Sequence, residues 1–173
     1  MVEVKVKKCA SHDLELLYFI CRTAYSENFA NHWNEGGLNW YLEKVYSRDG
    51  IQADLSSPNI EYFIAFVNDE AAGFMKLNLN SNFSDDEIGM EIEKIYTRPA
   101  HHGKGIGHAL IKVALDLARS EKKKFIWLGV IDTNSDAIQF YTKFGFKLQD
   151  KLKLDLPYFK EELKGLWRMK LNF

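Results

Sequence analysis

Apolar and polar positions alternate at the amino end, where Val2, Val4 and Val6 are separated by Glu3, Lys5 and Lys7. That is the period-two pattern of a half-buried strand. The period then changes: Leu14, Leu17, Tyr18 and Cys21 recur at helical spacing behind Ser11, which reads as a helix cap, and the helix is expected to run to about Ala24. The segment YSENFANHW is aromatic and polar at once and is broken by Gly36-Gly37; Asn39 to Ser47 predicts a second helix with Tyr41 and Val45 on one face. Ser56-Ser57-Pro58-Asn59 is a turn cluster. EYFIAFV, the tight connection Asn68-Asp69-Glu70 and AAGFMKLNL then predict a hairpin. Asn78 to Glu87 is polar and acidic and reads as a surface loop.

Met90 to Thr97 is the next expected strand. From Ile106, apolar residues fall at 109, 110, 113, 114, 117 and 118, the spacing of a helix with one buried face, and its lysine-rich end suits the negative end of the helix dipole. FIWLGVI, residues 125–131, is a continuous apolar run of strand length, as for a strand buried on both faces. Asp132 to Asp136 supplies caps and turns for a shorter helix carrying Ala137, Ile138, Tyr141 and Phe144, which Gly145 stops. Phe146 to Leu154 and Leu166 to Phe173 read as closing strands around a loop at Pro157. The order predicts a mixed α/β domain around one central sheet, residues 1–173 forming a single unit.

Composition narrows the function classes. With a net charge of −1, 46% apolar and 27% charged residues, the chain has no global pull toward nucleic acid or an anionic membrane. No apolar run approaches the roughly 20 residues of a membrane helix, and the amino end lacks the apolar core of a signal peptide. Cys9 and Cys21 have no metal-ligand spacing and read as buried thiols in a reducing cytoplasm. Neither lies beside the candidate chemistry, so neither reads as a covalent nucleophile.

That chemistry centres on Glu91 to Gly107, EIEKIYTRPAHHGKGIG, where a strand passes Pro99 and ends in Gly103, Gly105 and Gly107 at the mouth of a helix. Glycines let the backbone approach closely, and the unpaired amides of a first helical turn point at whatever anion sits there. His101, His102 and His108 lie in the same stretch, but loop spacing and glycine neighbours fit a phosphate better than a metal, and no metal is expected. Glu91 and Glu93, two apart on a strand, share a face at roughly 7 Å.

The segment EIEKIYTRP-AHHGKGIG-HALIKVALDLA resembles the acetyl-CoA motif of the GNAT N-acetyltransferase superfamily, and NSDAIQFYTKFGFK resembles its second motif, in the right order and separated by a strand. EIEKIYTRPAHHGKGIGHALIKVALDLARSEKKKFIWLGV is similar, more narrowly, to the PaiA-type polyamine N-acetyltransferases. The resemblance implies an α/β fold with a central, mostly antiparallel six- to seven-stranded sheet, splayed at the CoA site and flanked by about four helices. It implies acetyl-CoA as co-substrate. Amides from Gly103, Lys104, Gly105, Ile106, Gly107 and His108 would cradle its pyrophosphate, with Lys104 adding a positive charge. The strand edge at Ile95, Tyr96 and Thr97, and Asn134, would bond the pantetheine arm. His102 stands where most relatives carry Arg or Gln; the backbone donors survive that change. Tyr141 falls where many relatives carry the acid that protonates the departing thiolate, although its place beside Ile138 and Phe144 equally suits a core aromatic. Glu91 is implied as the base, through water, and Glu93 as a cation ligand.

The acceptor class expected is a primary amine, a polyamine such as spermidine first, with Asp85, Asp86, Glu87, Glu91, Glu93, Glu27 and Glu35 forming an acidic attraction for it. Phe29, Trp33, Trp40 and Tyr41 either line its methylenes or pack the helices. A peptide amine and a non-catalytic CoA-binding module are the alternatives. Dimerisation, common in that superfamily, is left open, with Leu166, Trp167 and Phe173 as an aromatic end suited to it.

Overall fold

The computed structural model describes residues 3–173, so Val2 of the amino-terminal alternation lies outside the described residues. Strand β1 (Val4–Lys8) keeps Val4 and Val6 half-buried against the core while its lysines face water. Ser11 does not cap a helix. Residues Ser11–Asp13 form a 3-10 turn closed by Asp13, whose carboxylate accepts the Ala10 amide at 2.9 Å, and α1 (Leu14–Phe29) follows, running on past Ala24. Helix α2 (Gly37–Val45) is the expected second helix. A further helix, α3 (Arg48–Ser56), follows at once, its first turn capped by the Ser47 hydroxyl, which accepts the Gly50 amide at 3.1 Å. Its one fully buried side chain is Ile51. A helix held by so few apolar residues leaves no periodic signal in the sequence.

The sheet is built from β2 (Ile60–Val67), β3 (Glu70–Ser84), β4 (Glu87–Thr97), β5 (Phe125–Ile131), β6 (Lys147–Lys153) and β7 (Gly165–Asn172) together with β1. Its seven strands run in the order β1-β2-β3-β4-β5-β7-β6. Every pair is antiparallel except β4 and β5, which are joined through α4 (Ile106–Ser120) and run parallel. Helix α5 (Ser135–Lys143) leads from β5 to β6 and ends as expected, with Gly145 at φ +94° just beyond it.

Residues 78–87 are not a loop. Strand β3 continues to Ser84 and the turn is only Asp85-Asp86, so a long hairpin arm reaches over β5 and β7. The polar side chains that suggest a loop are spent on pairing: Asn59 Oδ1 accepts from the Asn80 amide at 2.9 Å, and Asn78 reaches two carboxylates on β4. The arm is pinned by Phe83 against Phe125 and Trp127, by Arg168, which donates to the Phe83 carbonyl at 2.6 Å, and by Lys170 on Glu87 at 3.0 Å.

Two cores lie on the two faces of the sheet. On one, Ile106, Leu110, Ile111, Ala114 and Leu115 of α4 pack on Met75, Ile92, Ile126 and Leu128. The buried stripe of α4 is therefore centred on 111 and 115 as much as on 110 and 114, and Val113 and Leu117 are half-buried at its margin. On the other face, Leu17, Ile20 and Cys21 of α1 pack with Tyr41, Tyr46, Ile51 and Phe74. Cys9 and Cys21 are both buried thiols. No helix among the described residues is long and apolar enough to cross a membrane.

Candidate functional site

The glycine stretch folds as an open cradle. After Thr97 ends β4, Pro99–His101 makes a 3-10 turn and Gly103 and Gly105 take φ +77° and +82°. Those are left-handed conformations that favour glycine. A Cβ built on either would meet nothing within 4 Å, so the space over the loop is free. Gly105 precedes α4, and its carbonyl takes the Ala109 amide at 3.0 Å. The amides of Ile106, Gly107 and His108 stand before that first helical bond and point out of the positive end of the helix. A group with several anionic oxygens fits there. Gly107 lies against α5, where a Cβ would stand 3.1 Å from the Phe140 ring.

The three histidines go three ways. His101 is buried with Nε2 at 3.4 Å from Glu70, and its Nδ1 lies 3.3 Å from the Lys104 ammonium. His102 is exposed with Nε2 at 3.2 Å from the Thr97 carbonyl, and His108 packs edge-on against Phe140 at 5.3 Å. Among the described residues no group of three His, Cys, Asp or Glu side chains converges in a way that would hold a metal.

Beside the cradle the sheet opens. Strands β4 and β5 pair only at Met90 with Ile126, Glu91 with Trp127 and Ile92 with Leu128. Beyond Ile92, β4 stays on β3 through Lys94, Ile95, Tyr96 and Thr97 while its other edge has no strand partner. Unpaired strand edges accept extended ligands. Tyr141 of α5 is 8% exposed, and burial alone pushes its phenol above the ordinary value. Tyr96 is shifted the same way, by burial first and then by the nearby Tyr41, Tyr141 and Glu93. Tyr41 and Tyr96 pack in the core under α1–α3 and Tyr141 in the core under α4, on opposite faces of the sheet. Asn134 caps α5, its Oδ1 accepting the Ala137 amide at 3.2 Å.

The acidic pair sits on the α1–α3 face. Between Ile92, opposite Leu77, and Lys94, opposite Lys76, the register slips by one residue and leaves Glu93 unpaired. Such a bulge breaks the alternation, so Glu93 and Lys94 both meet the groups of that face. Asn78 Nδ2 bridges the pair, 3.0 Å from Glu91 and 2.9 Å from Glu93, and the Ser81 hydroxyl donates to Glu91 at 2.6 Å. Lys76 Nζ lies 3.0 Å from Glu93 and 2.9 Å from Asp54, and Lys94 Nζ lies 3.6 Å from Glu93. Burial by itself would raise the Glu93 carboxyl. Lys94 and Lys76, with the hydrogen bonds from Lys76 and Asn78, outweigh it and hold the group below the usual carboxylate range.

The rest of the expected acidic tract disperses. Glu87 is held by Lys170, Glu27 by Arg98 at 3.0 Å, and Asp85 and Asp86 occupy the hairpin turn. Glu35 lines a surface pocket of about 240 Å³ with Trp33 and Leu38. Trp33 and Tyr41 are core aromatics whose rings stand 5.0 Å apart. Glu93 is thus already occupied by cations of its own chain. Asn78, Ser81, Lys76 and Asp54 escape the sequence reading: the first two lie in the stretch that looks like a loop, and the ion pairs of the others span α3, β3 and β4. The one available signal is Lys76, a lysine inside the apolar run of AAGFMKLNL.

Residues 21–146 match the model of the acetyltransferase (GNAT) family. An uncharacterized N-acetyltransferase of Lactobacillus delbrueckii subsp. lactis is 29% identical over 147 residues, which cover 84% of this chain and 85% of that one. The spermidine N(1)-acetyltransferase of Thermoplasma acidophilum is 26% identical over 156 residues, 86% of this chain and 91% of its own. The crystal structure of PaiA N-acetyltransferase from Thermoplasma acidophilum in complex with coenzyme A superposes with a TM-score of 0.78 over 99% of both chains, at 22% identity, a likeness of fold.

Proposed function

Because the chain belongs to the GNAT acetyltransferase family, we propose that it moves an acetyl group from acetyl-CoA to a primary amine, with a polyamine such as spermidine as the first acceptor class. One observation carries this reading: a single continuous segment, β4 to α4, holds a carboxylate pair, an unpaired strand edge and an anion cradle in that order. The fit to CoA rests on the free space above Gly103 and Gly105 and on the outward amides of 106–108.

Acetyl-CoA brings the activated acetyl thioester. The Lys104 amide is taken by the His101 carbonyl at 3.4 Å, so the amides of Gly103 and of residues 105–108, with the Lys104 ammonium, hold a pyrophosphate, and the open backbone edge at Ile95, Tyr96 and Thr97 takes the amides of an extended arm. Asn134, whose Oδ1 is committed to the Ala137 amide, has its Nδ2 left to donate. The His102 side chain, at the Thr97 carbonyl, plays no part; only its backbone belongs to the loop. An alkyl ammonium cannot attack until it loses a proton, and Glu91, bonded only by neutral donors, receives that proton through water. The C–N bond forms, the C–S bond breaks, Tyr141 gives its hydroxyl proton to the departing sulfur, and the second proton shed by the nitrogen restores the phenol through solvent. Burial raises the phenol and so keeps it protonated at neutral pH, which leaves a proton in place to give when the C–S bond breaks. The buried thiols do not compete as nucleophiles: burial pushes Cys9 up to about 12.

The polyamine class is supported by the likeness to the spermidine N(1)-acetyltransferase. A second reading, a singly charged amine such as a peptide N-terminus, is favoured by Lys76 and Lys94, which already neutralise Glu93. Incubation with acetyl-CoA and an equimolar mixture of spermidine and a short peptide, read by mass spectrometry, separates the two. Acetylspermidine as the main product supports the first, and acetylpeptide alone overturns it.

A further inference from the structure

Six side chains form a continuous polar chain across the α1–α3 face, and the reaction above uses only its far end. The Tyr62 hydroxyl donates to Asp54 Oδ2 at 2.7 Å. The same oxygen lies 2.9 Å from Lys76 Nζ, Lys76 lies 3.0 Å from Glu93 Oε2, and Asn78 joins that oxygen to Glu91. We propose that Lys76, oriented by Asp54 and Tyr62, is a positioning residue that keeps Glu93 anionic, so that the Glu91–Glu93 pair holds no shared proton and Glu91 is free to act as the base. The proposal rests on the assignment of Glu91 and adds to it what sets the charge state of the pair.

Both carboxylates accept from one nitrogen, Asn78 Nδ2, so their oxygens are close neighbours. Two carboxylates that share a site keep one proton between them unless a cation offsets their repulsion, and they then titrate as a pair. The cation is in place. Lys76 is only 12% exposed in its side chain and has carboxylates on both sides, which fixes its ammonium where a free lysine would wander. Lys94 shares the task at 3.6 Å, but only Lys76 both hydrogen-bonds Glu93 and is itself oriented by a second carboxylate; Tyr62 and Tyr96 are neutral phenols, and Asp54 and Glu91 add negative charge. The geometry also gives Asp54 a reason to be on α3. From there it reaches Lys76 on β3, tying the helix to the floor of the groove.

Two readouts test this, one of them free of substrate. The first is the pH profile of kcat/KM for spermidine in wild type, Lys76→Met and Lys76→Arg. Lys76→Met should move the acidic limb up by about one pH unit, roughly a tenfold loss below it, because the pair now keeps a proton. Lys76→Arg, which restores the cation, should bring the limb back. The second is Tm against pH for the free protein. In wild type, Glu93 has a depressed pKa, so its contribution is present above the ordinary carboxylate pKa and is lost as pH falls. In Lys76→Met that contribution shrinks to what Lys94 and Asn78 supply, so less stability is lost on acidification and Tm relative to wild type rises as pH falls into the carboxylate range. If Lys76→Met does not fold, Asp54→Asn is measured instead and should move both curves the same way by a smaller amount. Curves that superpose on wild type in Tm and in rate would overturn the proposal. Absence of turnover on any amine, with the pH-dependent Tm difference still present, would remove the acetyl-transfer reading and leave the charge assignment standing.

Discussion

Gly105 offers the sharpest perturbation of the cofactor loop, because backbone strain and charge can be separated there. It sits at φ +82° with nothing within 4 Å of a built Cβ. Gly105→Ala therefore meets no neighbour, and its cost is the left-handed backbone alone, about 1–2 kcal/mol. For a domain of this size that lowers Tm by about 2–8 °C. Gly105→Glu has the same strain and adds a negative charge to the cradle. At about 6 Å and an effective dielectric of about 40, each like-charge pair costs ~1.4 kcal/mol, so two phosphate charges cost ~3 kcal/mol, roughly a hundredfold in Kd. Calorimetric titration of CoA into the three proteins is the assay. Gly105→Ala should bind within a few-fold of wild type, Gly105→Glu about a hundredfold more weakly, and added salt should narrow that gap. If Gly105→Glu bound CoA as tightly as Gly105→Ala, no phosphate would lie over this loop and the cofactor assignment would fall.

Other expectations follow from single residues. Tyr141→Phe should lower kcat by about 10²- to 10⁴-fold with CoA affinity unchanged, the range for loss of a positioned acid; wild-type kcat would return Tyr141 to the core. Gly89→Ala drives a Cβ into the Phe125 ring. It should destabilise by about 1–3 kcal/mol in a urea melt, as overpacking does, and loosen the hairpin arm; an unchanged midpoint would show that Phe125 can move aside. On the acid side, Glu93 is held low by Lys94 and Lys76 against its burial, Asp150 by hydrogen bonds from Arg168, and Glu161 is lowered to about 2 by Lys153 and Lys164. These depressed carboxylates contribute stability above the ordinary carboxylate pKa and lose it as pH falls through their folded values. Tm should hold above about pH 5 and fall steadily toward pH 2; a plateau down to pH 3 would contradict the ion pairs.

What could be read in the chain beforehand was whatever a single segment encodes. FIWLGVI is a strand because six apolar residues and one glycine between turn signals have no other use, and Gly145 ends α5 because a left-handed residue follows the helix. Helix α3 was illegible: RDGIQADLS carries an internal glycine and one buried isoleucine, and its existence depends on the pocket that Ile51 fills. The hairpin arm looked like a loop because its polar residues are satisfied by partners elsewhere, Asn80 by Asn59 and Asn78 by β4. The candidate site divides along the same line. The glycine cradle and the strand edge lie on one segment, whereas the charge state of Glu93 depends on Lys76 and Lys94, and the bulge that seats Glu93 and Lys94 together belongs to the pairing with β3.

The most direct measurement of the central claim is the initial rate of free CoA release from acetyl-CoA across a panel of spermidine, a monoamine of equal length and a short peptide. The account predicts saturable release with at least one of these primary amines, abolished by Gly105→Glu and slowed by Tyr141→Phe. Tight CoA binding with release no faster than in buffer for every amine would contradict it and leave a CoA-binding module without turnover.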